Sequence, residues 1–210
     1  MPKITGGSLE EHRERTRESI FAALSALMYQ RGFDAITLAD IAAAAGVGRT
    51  AMYNYFADKE SLLLAYAGHE TERYLAELQG ALAEVDNPVD GLAAYVRGQL
   101  RHVARNHLPP GTALRSLMSE QSYQHMVEHV AALEGILREV LSAGVAAGYL
   151  PDSDVAALVG LVTACISGRT VAELSGAELD QAIEATVAFV LRGVGARLGA
   201  DGRPLPFPSQ

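Results

Sequence analysis

Residues 37–63, TLADIAAAAGVGRTAMYNYFADKESLL, constrain the chain more than any other stretch. They read as two short helices, a tight turn and the start of a third helix. Thr37 is a good N-cap, and Asp40 three residues on complements the helix dipole. Leu38, Ile41, Ala42 and Ala45 recur on one helical face. Gly46 then stops the helix, because only glycine takes a left-handed turn without steric cost. Val47 is an apolar plug after the turn. From about Arg49 a second helix turns Met52 and Phe56 inward, and its other face carries Arg49, Thr50, Tyr53, Asn54 and Tyr55. Small residues at Ala42, Ala45 and Gly46 allow the two helices to cross closely, as a helix-turn-helix requires. Its second helix would present a short polar face to a DNA major groove. There Arg and Asn read base edges, and Thr and Tyr hydroxyls suit phosphate oxygens. The plainer reading is two core helices with a solvated polar face.

The matching positions Thr37, Ile41, Ala42, Gly46, Val47, Met52, Tyr53, Tyr55, Phe56, Lys59, Leu62 and Leu63 carry a specific resemblance. Tyr-x-Tyr-Phe followed by Lys-Glu-x-Leu-Leu is the most distinctive part. The stretch resembles the DNA-binding domain of the TetR family of transcriptional repressors. Beyond residue 70 the similarity is architectural only. The resemblance implies an all-α chain: an N-terminal three-helix helix-turn-helix domain over 8–58, a helical ligand-binding and dimerisation domain over 59–198, and a disordered tail over 199–210. Candidate DNA-contacting residues are Thr37, Gly48, Arg49, Thr50, Tyr53, Asn54, Tyr55 and Lys59. In the family, the lysine at the Lys59 position meets a phosphate. Asn54 stands where the family varies, which suits a role in sequence preference.

Bulk properties agree with a helical, intracellular reading. A hydrophobic content of 49% is ample for a packed core. The lone Cys165 excludes an internal disulfide and fits a reducing cytoplasm. The first residues are polar, so no signal peptide is visible. The most apolar run, 155–168, is shorter than the ~20 residues of a membrane span and reads as a buried helix. A net charge of −8 looks wrong for a DNA binder. Counting by segment resolves this. Residues 1–59 hold seven Lys or Arg against seven Asp or Glu, and the remainder holds ten against eighteen. A local basic face can form on the neutral segment. The acidic remainder limits non-specific DNA binding, so specific contacts must matter more.

The remaining helices follow from caps and breakers. Ser8 with Glu11 makes a capping box that opens the first helix. Ile20, Phe21, Leu24, Leu27 and Met28 form its stripe, and Gly32 ends it. Arg13, Arg15 and Arg17 are interleaved with acidic residues, which favours a solvated salt-bridge face over phosphate contacts. Asp58 caps a helix from Lys59 to about Leu82. Asn87-Pro88 starts another to about His107, and 108–111 break it. A short helix follows from Thr112 to about Glu120, then a longer one to Gly148. Asp152 or Ser153 caps the next helix, and Ser175 with Glu178 opens the last. The stripe of that helix is Leu179, Ile183, Val187, Val190, Leu191, Val194 and Leu198. Gly160, Ala164, Ser167 and Gly168 suit close helix approach. A two-fold four-helix bundle, two helices from each subunit, would bury these faces in a homodimer, with Val162 and Val187 as interface positions.

His125-Met126-Val127-Glu128-His129 matches H-x-x-E-H, an inverted zinc-peptidase pattern. Catalysis would also need a third ligand, and a plain histidine pair is preferred. No catalytic residue, metal or cofactor is expected. The family resemblance further implies a pocket in the second domain for a small apolar or amphipathic effector. Candidate lining residues are Tyr66, Tyr95, Leu117, Met118, Gln121, Tyr123, Met126, Thr163 and Ile166. The expected partners are double-stranded operator DNA, the effector and a second copy of the chain, with no membrane. The alternative is a helical small-molecule or metal-binding protein, possibly enzymatic, whose helix-turn-helix no longer binds DNA.

Overall fold

The computed structural model describes residues 6–106, 115, 118–169 and 171–208, and the description leaves out the side chains of 6–8, 125, 126, 129 and 130. Eight helices lie in it: α1 Gly6–Arg31, α2 Leu38–Ala44, α3 Arg49–Tyr55, α4 Lys59–Ala83, α5 Pro88–Asn106, α6 Glu120–Ala146, α7 Val155–Ser167 and α8 Gly176–Gly193. They are followed by two short strands, β1 Arg197–Leu198 and β2 Pro204–Leu205. The expected all-α class holds. Two compact units emerge, residues 1–69 with 107–126 and residues 70–106 with 127–210. The first turns of α4, past the boundary expected at 58/59, carry Leu62, Leu63 and Tyr66 into the first core.

In the first unit, α1 buries Ile20, Phe21, Leu24, Leu27 and Met28 against Phe33, Ile36, Ile41, Met52 and Phe56. Thr37 caps α2 in a reciprocal box. Its Oγ1 accepts from the Asp40 N–H at 3.1 Å, while the Thr37 N–H and hydroxyl donate to the Asp40 carboxylate. Gly46 takes φ 68°. Its N–H reaches Ala43 O and the Val47 N–H reaches Ala42 O, the two bonds that close a Schellman turn. Asp58 caps α4 with Ser61 as reciprocal partner: Ser61 N–H donates to Asp58 Oδ1 at 2.7 Å, and Asp58 N–H to Ser61 Oγ at 3.2 Å.

In the second unit, α5 packs along α8, and α7 packs on both. Their shared core holds Leu92, Val96, Leu100, Leu137, Leu141, Val159, Val162, Ile183, Val187 and Val190. Asn87 Oδ1 accepts from the Val89 and Asp90 N–H groups and starts α5 as expected.

Several local expectations are corrected. α1 begins at Gly6, so Ser8 lies inside the helix rather than at its start. Asp154, not Asp152 or Ser153, caps α7, accepting from Ala156 and Ala157. Ser175 is the N-cap of α8, but its side chain makes no capping bond. Leu198 leaves the α8 stripe for β1, where it is exposed. The tail is no disordered strand of coil over its described length. It forms an antiparallel hairpin pairing Arg197 with Leu205, and the Phe207 N–H donates to Gly148 O at 2.7 Å. The break at 108–111 and the short helix from Thr112 fall largely outside the described residues. No described helix is long and apolar enough to cross a membrane.

Candidate functional site

Gly48 precedes α3 in an extended conformation and caps it without a side-chain bond. Met52, 1% exposed, anchors the inner face of α3, and this fixes what the outer face shows. Arg49, Thr50, Tyr53 and Asn54 are all exposed. Among the described residues, no hydrogen bond or ion pair engages the side chain of any of the four. Tyr55 is half-buried, its ring 6.4 Å from that of Phe56. Thr37 is exposed, but its hydroxyl is committed to Asp40. The α3 face thus offers a guanidinium, an amide and two hydroxyl groups on seven residues, a short array of donors free to meet base edges and phosphates.

Lys59, the expected phosphate contact, is engaged within the first unit. Its Nζ donates to Phe33 O at 2.8 Å and Ile36 O at 3.1 Å, with Asp34 O at 3.5 Å, and sits 4.4 Å over the Phe33 ring. The ammonium ties the loop after α1 to the start of α4. Glu60, beside it, accepts from the Ser119 N–H at 2.7 Å. Hydrogen bonds from Ser122 and Ser119 hold the Glu60 carboxyl below its ordinary range. Sequence reasoning missed this link, because nothing at residue 60 points sixty residues ahead.

The described ligand-lining candidates divide between the two units. Tyr66, Met118 and Tyr123 belong to the first core, with Tyr66 edge-on to Phe21 at 5.7 Å. Gln121 is exposed. Tyr95 and Ile166 are buried in the second core, whereas Thr163 faces outward on α7. Leu117 and the side chain of Met126 lie outside the described residues, as do those of His125 and His129. Tyr66, Met118, Gln121 and Tyr123 thus fall in the first unit and Thr163 in the second. Helical period gave their inward or outward sense only where each helix's neighbours were known.

A cavity of about 300 Å³ opens in the second unit between α4 and α5. Tyr74, Leu78, Gly98, Arg101, His102 and Arg105 are among its walls. His102 stacks on Tyr74 at 4.5 Å and bonds the Asn106 amide through Nδ1 at 3.0 Å. Burial, reinforced by Arg73 and Arg105, pushes the His102 pKa down to about 4, so the ring is neutral at pH 7. Burial also raises the Tyr74 phenol, which keeps its proton. The signal for this cavity was present in the sequence as Arg97, Arg101 and Arg105 at four-residue spacing on one helix.

Residues 20–66 match the family model of bacterial regulatory proteins, tetR family. Over these residues the chain is similar to the DNA-binding domain of TetR-family regulators. The match covers the later part of α1, then α2, α3 and the start of α4. The chain is 34% identical over 121 residues to the HTH-type transcriptional repressor LfrR of Mycolicibacterium smegmatis, covering 58% of this chain and 57% of that protein. It is 40% identical over 79 residues to the HTH-type transcriptional regulator TtgR of Pseudomonas putida, covering 37% and 38%. The alignments thus span little more than half of these relatives' lengths at most. In fold, the chain resembles the transcriptional regulator FadR of Bacillus subtilis, solved in complex with stearoyl-CoA. The TM-score is 0.72 at 19% identity, covering 84% of this chain and 98% of that one. The likeness in fold therefore extends well beyond the segment in which sequence similarity is visible.

Proposed function

We propose that this protein is a cytoplasmic transcriptional repressor that binds double-stranded operator DNA as a homodimer. A small apolar or amphipathic molecule bound in the second unit releases it. The observation that carries the DNA-binding part is the uncommitted outer face of α3, Arg49, Thr50, Tyr53 and Asn54, on a helix-turn-helix whose turn is set by Gly46. Arg49 and Asn54 read bases, while Tyr53 and Thr50 meet phosphate. The family match and the relatives named as repressors and regulators support this reading over a helical binding protein with a silent helix-turn-helix.

Homodimerisation through α7 and α8 is supported by their outer faces. Leu161 is 67% exposed and Phe189 62% exposed, and around them α7 shows Ala157, Gly160 and Ala164 to solvent. Val162 and Val187, the expected interface positions, are each 3% exposed and serve the subunit's own core. The interface positions shift to Leu161 and Phe189.

For release, α4 is the element to move. It is one continuous helix whose residues 59–69 belong to the first unit and 70–83 to the second. Recognition helices of a dimer must sit about 34–36 Å apart to enter successive major grooves. A ligand favouring another α4 orientation changes that separation, by no more than its differential affinity for the two states. By linkage, operator must weaken ligand binding by the same factor.

The test begins with recovery of protein-bound fragments from genomic DNA. Salt-dependent binding to the recovered site and to a scrambled site follows. Sequence-selective binding with a steep salt dependence is expected. Equal affinity for both sites would remove the repressor reading. Calorimetric titration of a candidate ligand with and without operator then tests release, and equal affinities exclude that ligand as the inducer.

A further inference from the structure

We infer that the cavity between α4 and α5 is a binding site for a flat aromatic carboxylate. That the occupant acts as the effector rests on the function proposed above, but the site itself does not.

Two independent observations define it. The first is a buried polar atom without a partner. Tyr74 is 5% exposed, and its Oη finds no hydrogen-bond partner among the described residues. Buried hydroxyls are nearly always satisfied, and an unsatisfied one is a standing cost that an incoming acceptor removes. The hydroxyl lies against Gly98, another wall of the cavity. A Cβ there would stand 2.8 Å from Oη, so glycine is what leaves the hydroxyl its space.

The second is the charge of the walls. Arg97, Arg101 and Arg105 line one side, one helical turn apart, against a single lining carboxylate, Glu77. Arg97 is already held in a two-pronged pair with Glu184, at 2.6 and 2.8 Å. The other two are held loosely. Arg101 is 3.5 Å from Asp180, and Arg105 is 3.7 Å from Glu77, which also lies 3.9 Å from Arg73. Single contacts of that length between exposed side chains are weak, so both guanidinium groups can turn to a better acceptor. A carboxylate satisfies a guanidinium fork in its own plane.

The rest of the cavity selects the body that carries the carboxylate. Leu78, Ala81 and Ala94 are apolar, and the stacked pair of Tyr74 and His102 offers a flat aromatic wall. A volume of about 300 Å³ is at the small end for ligand pockets, which excludes a long-chain acyl group as a fully enclosed ligand.

The probe is 2-naphthoate, with neutral 2-naphthamide of the same shape as comparator, titrated calorimetrically into the full-length protein. Naphthoate should bind at least tenfold more tightly than the amide at low salt, with the gap narrowing as salt rises. Replacing both Arg101→Gln and Arg105→Gln should weaken naphthoate at least tenfold and leave naphthamide unchanged. Tyr74→Phe should weaken naphthoate severalfold without lowering the melting temperature of the free protein, because the lost hydroxyl had no partner. Equal affinity for the two probes, wild-type naphthoate affinity in the double variant, or a lowered melting temperature in Tyr74→Phe would each overturn the site. Circular dichroism of each variant confirms that it is folded. DNA release is read separately on the selected operator. Naphthoate binding without release leaves the site standing and removes its link to DNA. Operator binding without naphthoate binding overturns the site and leaves the DNA-binding reading intact.

Discussion

Two sets of polar side chains on helix surfaces, one in each unit, look alike in sequence and differ in the structure. On α3, Arg49, Thr50, Tyr53 and Asn54 project from a helix anchored by Met52, and no described residue engages them. On α5, Arg97, Arg101 and Arg105 each have a carboxylate within 4 Å, Arg97 in a bidentate pair. Lys59 makes the same point inside the first unit. It resembles a phosphate-contacting lysine, yet its ammonium is committed to backbone carbonyls. Residue type says what a side chain can bind. How firmly it is already bound decides what remains for a partner.

The largest test of that contrast uses apolar residues of α7 and α8. Val162→Asp or Val187→Asp places an unpaired charge in the subunit core and should cost at least about 3 kcal/mol, enough to unfold much of the population. Leu161→Asp or Phe189→Asp, on the outer face, should leave the helical circular dichroism intact and halve the mass seen in light scattering. A folded monomeric Val187→Asp protein would instead place Val187 at the interface.

Next comes pH. The unfolded His102 protonates near 6.5, whereas the folded ring resists protonation down to about 4. Unfolded chains therefore bind more protons in that window, and stability falls as pH drops through it, by on the order of 2–3 kcal/mol in total. His102→Phe keeps an aromatic ring on Tyr74 and should flatten the decline between pH 6.5 and 4.5. Below that, carboxylates held low by their partners, Glu184 by Arg97 and Glu60 by Ser122 and Ser119, begin to lose their own contribution in both proteins. An unchanged pH profile in the variant would show that His102 is accessible to protons when folded.

Lys59→Met should lower stability by about 1–3 kcal/mol through the lost carbonyl bonds. The salt slope of DNA binding should stay the same. A slope reduced by about one would return Lys59 to the phosphate contacts. The smallest effect is expected at Asp40→Asn. Thr37 holds the Asp40 carboxyl below its ordinary range, so its contribution exists above about pH 4 and disappears as acid protonates it. Faster amide exchange confined to α2 at neutral pH, and a difference between variant and wild type that shrinks as pH falls below about 4, are the expected readings.

The helix-turn-helix was legible because its signals are local. Thr37, Gly46, Met52 and Asp58 fix caps, turn and inner face within a few residues of themselves, and the structure places each as read. The ligand candidates were not legible. Tyr66 belongs to the first core, although it lies past the expected boundary, because α4 runs on through it. Thr163 and Val162 are neighbours on α7 with opposite exposures, and no periodicity says which of two apolar-to-neutral faces meets α5 and α8. The Tyr74 cavity needed Gly98 opposite it, a contact across twenty-four positions that only the packed helices reveal.

The central claim is that the free face of α3 reads base sequence, and the most direct measurement is the ratio of affinities for the selected operator and its scrambled counterpart. In wild type the ratio should be large. Arg49→Ala and Asn54→Ala should each cost about 1–3 kcal/mol on the operator and little on the scrambled site, collapsing the ratio while the salt slope on scrambled DNA stays near that of wild type. An operator preference unchanged in both variants would contradict the claim and move base recognition off α3.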